Sequence, residues 1–401
     1  MAAKIARQPN RLVILGAPTS AAAMSLGHEG APKALRSAGL IEQLESAGYQ
    51  VTDQGDDAPQ LFQPDEDSPR ARNVLRILKA LETLKPRIEL AVKSAALPII
   101  LSGDCSSAIA LIAGMRRYYR NVSMIYMDSD ADRNIPATTP SGCVDGMVVS
   151  HLTGRGAAEL VRFWGEPPLV REPDLALFGV SRLDPPERTA LEGSPLRCYM
   201  ASDVRGMGAA AAARDAVERV HGNAYEFALH FDVDVIAGFT ATNYPAQDGL
   251  SLEEVREALD VFVQQKHLAA IEIAAYNPKL DPDGSGANTI IDLLVSVMEG
   301  RRKFFEAQTP DTAPPSPRPE AVKPAPAIPE APPPAGAPEP PAKAAAAVGE
   351  EDALVEPETL VSGEGVTDDV FSEAGDEIPD SDDNDETDGD LLPSDSEDTH
   401  S

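Results

Sequence analysis

The sequence contains few cysteines and no long apolar run. Its three cysteines, Cys105, Cys143 and Cys198, are too few for the disulfide framework of a small secreted protein. No segment reaches the roughly 18 uninterrupted apolar residues of a membrane span. Residues 1–10 lack the apolar stretch of a signal peptide. These absences exclude disulfide-stapled and membrane-spanning classes, and we expect a soluble, cytoplasmic protein.

Positive charge is scarce in the last quarter of the chain. Residues 307–401 contain 25 acidic and 3 basic residues, so they carry most of the net charge of −31. The part before residue 342 is rich in proline and alanine, and the remainder is dominated by aspartate and glutamate. Neither part can bury enough apolar surface to offset the entropy of ordering it. We predict a Pro/Ala-rich linker over 305–348 and an acidic, disordered tail over 349–401.

This tail has two interpretations. It is either a solubilising appendage or an interaction arm for a basic partner, and no motif within it names such a partner. Nothing in the composition indicates binding to nucleic acid or to a membrane.

Residues 11–304 have the mixed charge of an ordinary globular domain and follow a flexible N-terminus predicted over 1–10. Short apolar runs predict strands at 11–16, 50–53, 97–102, 122–127, 175–180, 227–231 and 268–274. Helical spacing occurs at 32–39, 71–96, 106–117, 209–220 and 252–266. This alternation predicts one α/β domain built around a parallel sheet.

Two of the apolar runs end in closely spaced aspartates. Asp128, Asp130 and Asp132 follow the first run, and Asp232 and Asp234 follow the second. A buried parallel strand presents such side chains at its C-terminal edge, where α/β folds place their ligands. Five pooled carboxylates are tolerable only with bound cations. The pattern predicts a metal site, although either segment alone is also typical of a solvated acidic face.

Cys105 follows the predicted strand 97–102 and is either a small core residue or a metal ligand. A nucleophilic role is remote, because no histidine has an evident link to it. The histidines that we interpret as packing or surface residues are His151, His221, His230 and His267. His230 would share a strand face with Asp232 only if its strand alternates regularly.

The order of these motifs resembles the arginase (ureohydrolase) family. The segments that carry the resemblance are 15–18, 30–36, 102–106, 128–132, 141–146, 231–234 and 276–278. It covers roughly residues 11–300 and implies a three-layer α/β/α sandwich with a two-manganese site at the C-terminal strand ends. The implied activity is hydrolysis of the guanidinium group of arginine, or of a related linear guanidino compound, to release urea. The resemblance also implies a trimer or hexamer.

The resemblance extends to the metal ligands with two changes. Four aspartates match family ligands, namely Asp128, Asp132, Asp232 and Asp234, whereas Cys105 and Asp130 stand where the family has histidines. If all six groups are ionised, the ligand shell carries two more negative charges than the family's. We therefore expect a raised pKa at Asp130 or Cys105, a single ion, or a softer ion than manganese on the Cys105 side.

Two further departures concern catalysis. Asp145 stands where the family has a proton-shuttling histidine, and Ala275 where it has a glutamate that pairs with the substrate guanidinium. We expect Asp145 to handle protons or to bind the guanidinium. Residues matching the family's amino-acid-binding group are nevertheless present, namely Asn134, Thr139, Ser141, Asp184 and Glu187.

Two functional hypotheses follow from these residues. The first is a metal-dependent amidinohydrolase that grips the amino-acid end of its substrate with the loop at 134–146. The second is a catalytically degenerate ureohydrolase that acts as a binding or scaffold subunit, which the changes at Asp145 and Ala275 favour. Plain turn chemistry is the alternative for the loop, because it is rich in proline and glycine.

Overall fold

The computed structural model describes residues 7–221 and 226–308. The predicted linker beyond 308 and the predicted acidic tail lie outside these ranges. The strands are β1 (Arg11–Ala17), β2 (Gln50–Asp56), β3 (Leu97–Ser102), β4 (Val122–Met127), β5 (Leu175–Val180), β6 (Arg197–Met200), β7 (Glu226–Asp232) and β8 (Leu268–Ala274). The helices are α1 (Ala31–Ser37), α2 (Leu40–Ser46), α3 (Val74–Lys93), α4 (Ser107–Met115), α5 (Val148–Leu152), α6 (Ala158–Val161), α7 (Pro185–Glu192), α8 (Ala201–Met207), α9 (Ala209–His221), α10 (Leu252–Val263) and α11 (Ser285–Gln308).

The eight strands form one sheet in the order β2-β1-β3-β8-β7-β4-β5-β6. Every pair of neighbours is parallel. Strands β3, β4, β5, β7 and β8 are buried at every position, as their continuous apolar runs predict for strands covered on both faces. The predicted α/β fold with a parallel sheet is therefore confirmed. Its helices and sheet form α/β/α layers.

Helix α4 directly follows Cys105 and all nine of its residues are buried. It packs against α3, α5 and strands β7 and β8, which explains why it has no polar face. Gly114 is required by this packing, because a Cβ atom there would approach Cγ2 of Ile88 to 2.7 Å. The tight packing fixes the start of α4, and with it the position of Cys105.

Element bounds differ from the predictions mainly at helix ends and at one edge. Helix α3 begins at Val74 rather than 71, and α11 continues to Gln308, past the predicted domain end at 304. At the start of the domain, Arg7 donates a hydrogen bond to Glu226 at 2.8 Å, although it belongs to the predicted flexible segment. Strand β6 was not predicted, because it is a short edge strand of mixed burial.

Among the residues that the structure describes, no helix has the length and apolarity to cross a membrane. Cys105, Cys143 and Cys198 all lie within the described residues and are free. A cytoplasmic location stays a prediction of the sequence.

Candidate metal centre and active site

The two aspartate-bearing strands are neighbours in the sheet. Strand β4 pairs with β7 so that Met127 lies opposite Phe231, and the residues that follow them meet at one edge. Asp128 and Asp232 are both buried there. Cys105 reaches the same place from the end of β3, and its Sγ donates a hydrogen bond to Asp232 Oδ2 at 3.0 Å. The structure thus brings the predicted strand-end residues together.

The ligand atoms fall into two groups, within each of which they lie within 4.8 Å of one another. The first group comprises Cys105, Asp128, His230 and Asp232, and the second comprises Asp128, Asp130 and Asp234. Asp132 belongs to neither group of described residues, although it lines a cavity that also borders Asp128 and Asp232. Its carboxylate accepts a hydrogen bond from the hydroxyl of Tyr126. Five of the six predicted ligands are therefore grouped, and a histidine joins them.

His230 is the member that sequence reasoning missed. Its Nδ1 lies 2.9 Å from Glu272 Oε2, and the other oxygen of Glu272 accepts a hydrogen bond from Ser102 at 2.8 Å. Its ring stacks on Tyr126 with centroids 4.0 Å apart. The available signal was alternation, because β7 pairs regularly from Ala228 to its end and so places His230 on the same face as Asp232.

Arg182 was also missed, and it pairs with the second group. Its Nη2 lies 2.6 Å from Asp130 Oδ2 and 2.8 Å from Asp234 Oδ2. Its Nη1 donates to the carbonyl oxygen of Tyr244 at 2.8 Å. Arg182 follows β5, which is the neighbour of β4, so the sheet order carries this cation to the acidic edge. No local sequence pattern predicts the contact of Arg182 with these aspartates.

The electrostatics of the cluster follow from its burial. Burial raises the pKa of the Cys105 thiol well above its usual range, and the charges of Asp145 and Asp232 raise it further. Burial and the nearby Asp234 raise the pKa of Asp130 to about 6, against the lowering effect of Arg182. Both directions agree with the expectation from the surplus of negative charge.

Asp145 begins a short 3-10 helix (Asp145–Met147) beside the first group. Its Oδ1 accepts a hydrogen bond from the backbone N–H of Cys105 at 2.9 Å. Burial, followed by the charge of Asp104, raises the pKa of Asp145 to about 8. Ala275 is buried and has a φ of 67°, and its backbone N–H donates to the carbonyl of Gly103 at 2.8 Å. Its methyl side chain brings no polar group to the site.

A cavity of about 540 Å³ lies over these strand ends. The predicted metal-site residues that line it are Cys105, Asp128, Asp130, Asp132, Asp232 and Asp234, together with Asp145. The predicted substrate-binding residues that line it are Asn134, Thr139, Ser141, Asp184 and Glu187. The structure therefore places the whole predicted set around one space.

The substrate-side residues are held by one another and by the backbone. Asn134 Nδ2 donates to Asp184 Oδ2 at 2.8 Å, and the hydroxyls of Thr139 and Ser141 lie 3.5 Å apart. Glu187 accepts the backbone N–H groups of Arg133 at 2.8 Å and of Asp184 at 3.0 Å. Glu187 thereby joins the start of α7 to the loop after β4, which keeps the two sides of the cavity in register.

The two ligand groups fit a metal ion unequally. The first offers a sulfur, an imidazole whose Nε2 has no hydrogen-bond partner in the described part of the chain, and two carboxylates. The second offers carboxylates alone, and two of these are already paired with Arg182. The donors present therefore fit one divalent ion at the first group, and a second ion would compete with a guanidinium.

Comparisons with known proteins agree with this geometry. A family model described as the arginase family matches residues 10–299. An arginase from Brevibacillus brevis is 27% identical over 286 residues, which are 71% of this chain and 96% of that protein. An arginase from Staphylococcus aureus is 26% identical over 287 residues, which are 70% and 94% of the two chains. The crystal structure of arginase from Bacillus cereus matches with a TM-score of 0.67 at 26% identity, covering 72% of this chain and 98% of that one. This chain is therefore a member of the arginase family.

Proposed function

We propose that this protein is a metal-dependent hydrolase that cleaves a guanidino C–N bond of arginine, or of a related linear guanidino amino acid, and releases urea. One observation carries the proposal: apart from His230, the two groups of candidate metal ligands border a single cavity together with the five side chains that the resemblance assigns to the amino-acid end. An acidic surface without a binding function would not require both sets of side chains around one cavity.

The metal requirement rests on the chemistry of the ligand groups. The family resemblance implies two divalent ions, most simply manganese, and the thiol of Cys105 favours a softer ion on its side. The Cys105 group would hold one such ion, whereas a second ion at Asp130 and Asp234 would compete with the Arg182 guanidinium. When bound, such an ion supplies Lewis acidity and lowers the pKa of a coordinated water.

The reacting end of the cavity depends on Asp145. Its carboxylate borders the cavity and is held by the backbone N–H of Cys105. Because Ala275 supplies no carboxylate, Asp145 is the group that we assign either to the substrate guanidinium or to proton handling. Loss of this side chain would leave a buried cation without a partner.

The opposite end of the cavity is suited to an α-amino acid. We assign Asn134, Thr139 and Ser141 to the carboxylate and Asp184 to the amine, because an amide, two hydroxyls and a carboxylate complement those charges. Glu187 acts through the backbone that it holds, as a positioning residue. The family resemblance also suggests a homo-oligomer, a trimer or a hexamer.

A second candidate function is a degenerate family member that serves as a binding or scaffold subunit. The Arg182 guanidinium favours it, because it occupies the carboxylates of Asp130 and Asp234. The absence of a carboxylate at Ala275 favours it as well.

Urea release separates the two candidates. Purified protein is incubated with arginine or N-hydroxyarginine after loading with manganese, cobalt, zinc or iron. The enzyme proposal expects urea with at least one metal, and expects the Asp145→Asn variant to release none. Urea absent with every metal and both substrates, in a preparation shown to bind metal, supports the scaffold candidate instead.

A further inference from the structure

His230 has a buried nitrogen that nothing in the described residues satisfies. The side chain is fully buried, and its Nε2 has no hydrogen-bond partner. In the neutral ring whose Nδ1–H donates to the carboxylate of Glu272, Nε2 presents a lone pair. Leaving such a buried acceptor unsatisfied is costly, so its position requires an explanation.

The contacts of His230 are those that usually hold a metal-ligating histidine in place. Metal-ligating histidines usually donate their other ring N–H to a carboxylate or carbonyl, which fixes the tautomer and the ring orientation. Here Glu272 accepts that proton, Ser102 donates to Glu272, and Tyr126 stacks on the ring. His230 belongs to the group formed with Cys105, Asp128 and Asp232, and Nε2 is its ring nitrogen without a hydrogen-bond partner among the described residues.

This donor set differs in kind from a manganese set. One sulfur, one imidazole nitrogen and two carboxylate oxygens are four ligands of the types that zinc accepts in tetrahedral sites. Oxygen-only ligation suits manganese, whereas a thiolate selects softer ions. Cys105 is a thiol hydrogen-bonded to Asp232 in the described structure, so metal binding would release its proton and replace that hydrogen bond.

The second ligand group is already neutralised in part by the protein itself. The Arg182 guanidinium contacts Asp130 at 2.6 Å and Asp234 at 2.8 Å. The same Nη2 also contacts the hydroxyl of Ser129, and Nη1 donates to the carbonyl of Tyr244, so the cation is held from several sides. A second metal ion would have to displace this network.

We propose that this chain holds one ion of the zinc class at Cys105, Asp128, His230 and Asp232, and that the Arg182 guanidinium takes the place of a second cation. The inference relies on the proposed function only for the role of the ion. The centre differs from the pair of ions that the family resemblance implies. One divalent ion faces a thiolate and two carboxylates, and Arg182 faces the carboxylates of Asp130 and Asp234.

Metal binding without substrate tests the wild-type protein directly. The full-length protein is freed of metal and titrated with zinc, cobalt and manganese, with stoichiometry from elemental analysis and affinity from calorimetry. We expect one ion per chain and tighter binding of zinc and cobalt than of manganese. The cobalt-loaded protein should show a thiolate-to-cobalt charge-transfer band and the intense visible bands of four-coordinate cobalt. Two manganese ions per chain with six-coordinate cobalt bands would overturn the proposal.

Variants then assign the ligands. Cys105→Ser should remove the charge-transfer band, and His230→Gln should weaken zinc binding by about 100-fold or more, at or beyond the upper end of the effect of supporting groups. Glu272→Gln, which alters only the support, should weaken it by about 10-fold to 100-fold. His267→Gln is the matched control, because His267 is partly exposed and belongs to neither ligand group. Circular dichroism checks that both variants are folded. If they are, equal zinc affinity in His230→Gln and the control would show that His230 is not a ligand of the ion.

Arg182→Met tests whether the Arg182 guanidinium takes the place of a second metal ion. We expect this variant to bind a second ion, so that manganese stoichiometry rises from one to two per chain. Arg256→Met is the control, because Arg256 pairs only with helix neighbours. A stoichiometry that stays at one in Arg182→Met contradicts the assigned role. These readouts need no turnover, so a protein that binds one zinc ion as described but releases no urea keeps this inference and loses the proposed function.

Discussion

Arg182 lies against Asp130 with two hydrogen bonds, from Nε to Oδ1 at 3.0 Å and from Nη2 to Oδ2 at 2.6 Å. This bidentate ion pair places a fixed positive charge among carboxylates that the sequence predicts to be metal ligands. The same Nη2 reaches Asp234, so one side chain neutralises parts of two strand ends.

The first prediction concerns stability without metal. Arg182→Gln should lower the free energy of unfolding of the metal-free protein by about 1–2 kcal/mol, because it leaves Asp130 and Asp234 uncompensated. The effect should fall below the roughly 3–5 kcal/mol of a fully buried pair, since Arg182 and Asp130 are more than a third exposed. Manganese should then stabilise the variant more than the wild type in denaturant titrations. Arg256→Gln, at a surface pair, should change little, and equal losses in the two variants would contradict the prediction.

The second prediction concerns the substrate guanidinium. Ala275→Glu should tighten arginine binding by about tenfold, which corresponds to about 1.4 kcal/mol, because it restores a charge-assisted contact. Calorimetry on metal-loaded protein measures the change. Ala275→Gln is the matched control, since it adds similar volume without charge at the same left-handed position. Equal affinities for the two variants would show that position 275 does not face the guanidinium.

The third prediction concerns Asp145. If the proposed function holds, Asp145→Asn should reduce urea release by at least about 100-fold, the lower end of the contribution of a general acid or base. The amide retains an oxygen that accepts the Cys105 N–H, so the local fold should persist. Metal content and the melting temperature serve as controls. A variant as active as the wild type, at equal metal content, would refute the catalytic assignment.

The fourth prediction concerns pH and His151. Burial lowers the pKa of this histidine to about 4. Its Nδ1 lies 2.7 Å from the Met147 carbonyl, and its Nε2 accepts the N–H of Ala157 at 3.1 Å, so the neutral ring satisfies both contacts. The unfolded chain binds a proton below about pH 6.5, whereas the folded chain does so only near pH 4. Its contribution to stability is therefore complete above pH 7 and declines as the pH falls, by about 2 kcal/mol at pH 5.

Comparison with His151→Gln isolates this contribution from that of the carboxylates. The difference in unfolding free energy between wild type and variant should shrink as the pH falls from 7.5 to 5. A difference that stays constant over that range would show that His151 is not the titrating group.

The fifth prediction concerns the tail. Its composition predicts no core contacts, so removal of residues 309–401 should leave the melting temperature within a few degrees. The cut belongs after Gln308 rather than at the predicted domain end at 304, because α11 continues to Gln308 and the guanidinium of Arg301 lies 4.7 Å from the ring centroid of Phe305. A large loss of stability after the later cut would show that the tail docks on the domain.

The sequence by itself predicted seven of the eight described strands and the location of the site. Continuous apolar runs predicted the buried strands, since a strand covered on both faces needs apolar residues at every position. Aspartates directly after Met127 and Phe231 predicted the acidic edge, because the carboxyl ends of parallel strands meet there. The ordered motifs predicted the family, which the family model then confirmed.

Only the tertiary structure decided which side chains meet at that edge. Arg182 contacts Asp130 because β5 lies beside β4, and Glu272 reaches His230 because β8 lies beside β7. Strand order is a property of the whole chain, so residues far apart in sequence become partners with no local signal. The free Nε2 of His230 and the paired state of Asp130 therefore became visible only in the fold. The reason is that hydrogen bonds and ion pairs depend on distances of about 3 Å, which residue order alone does not specify.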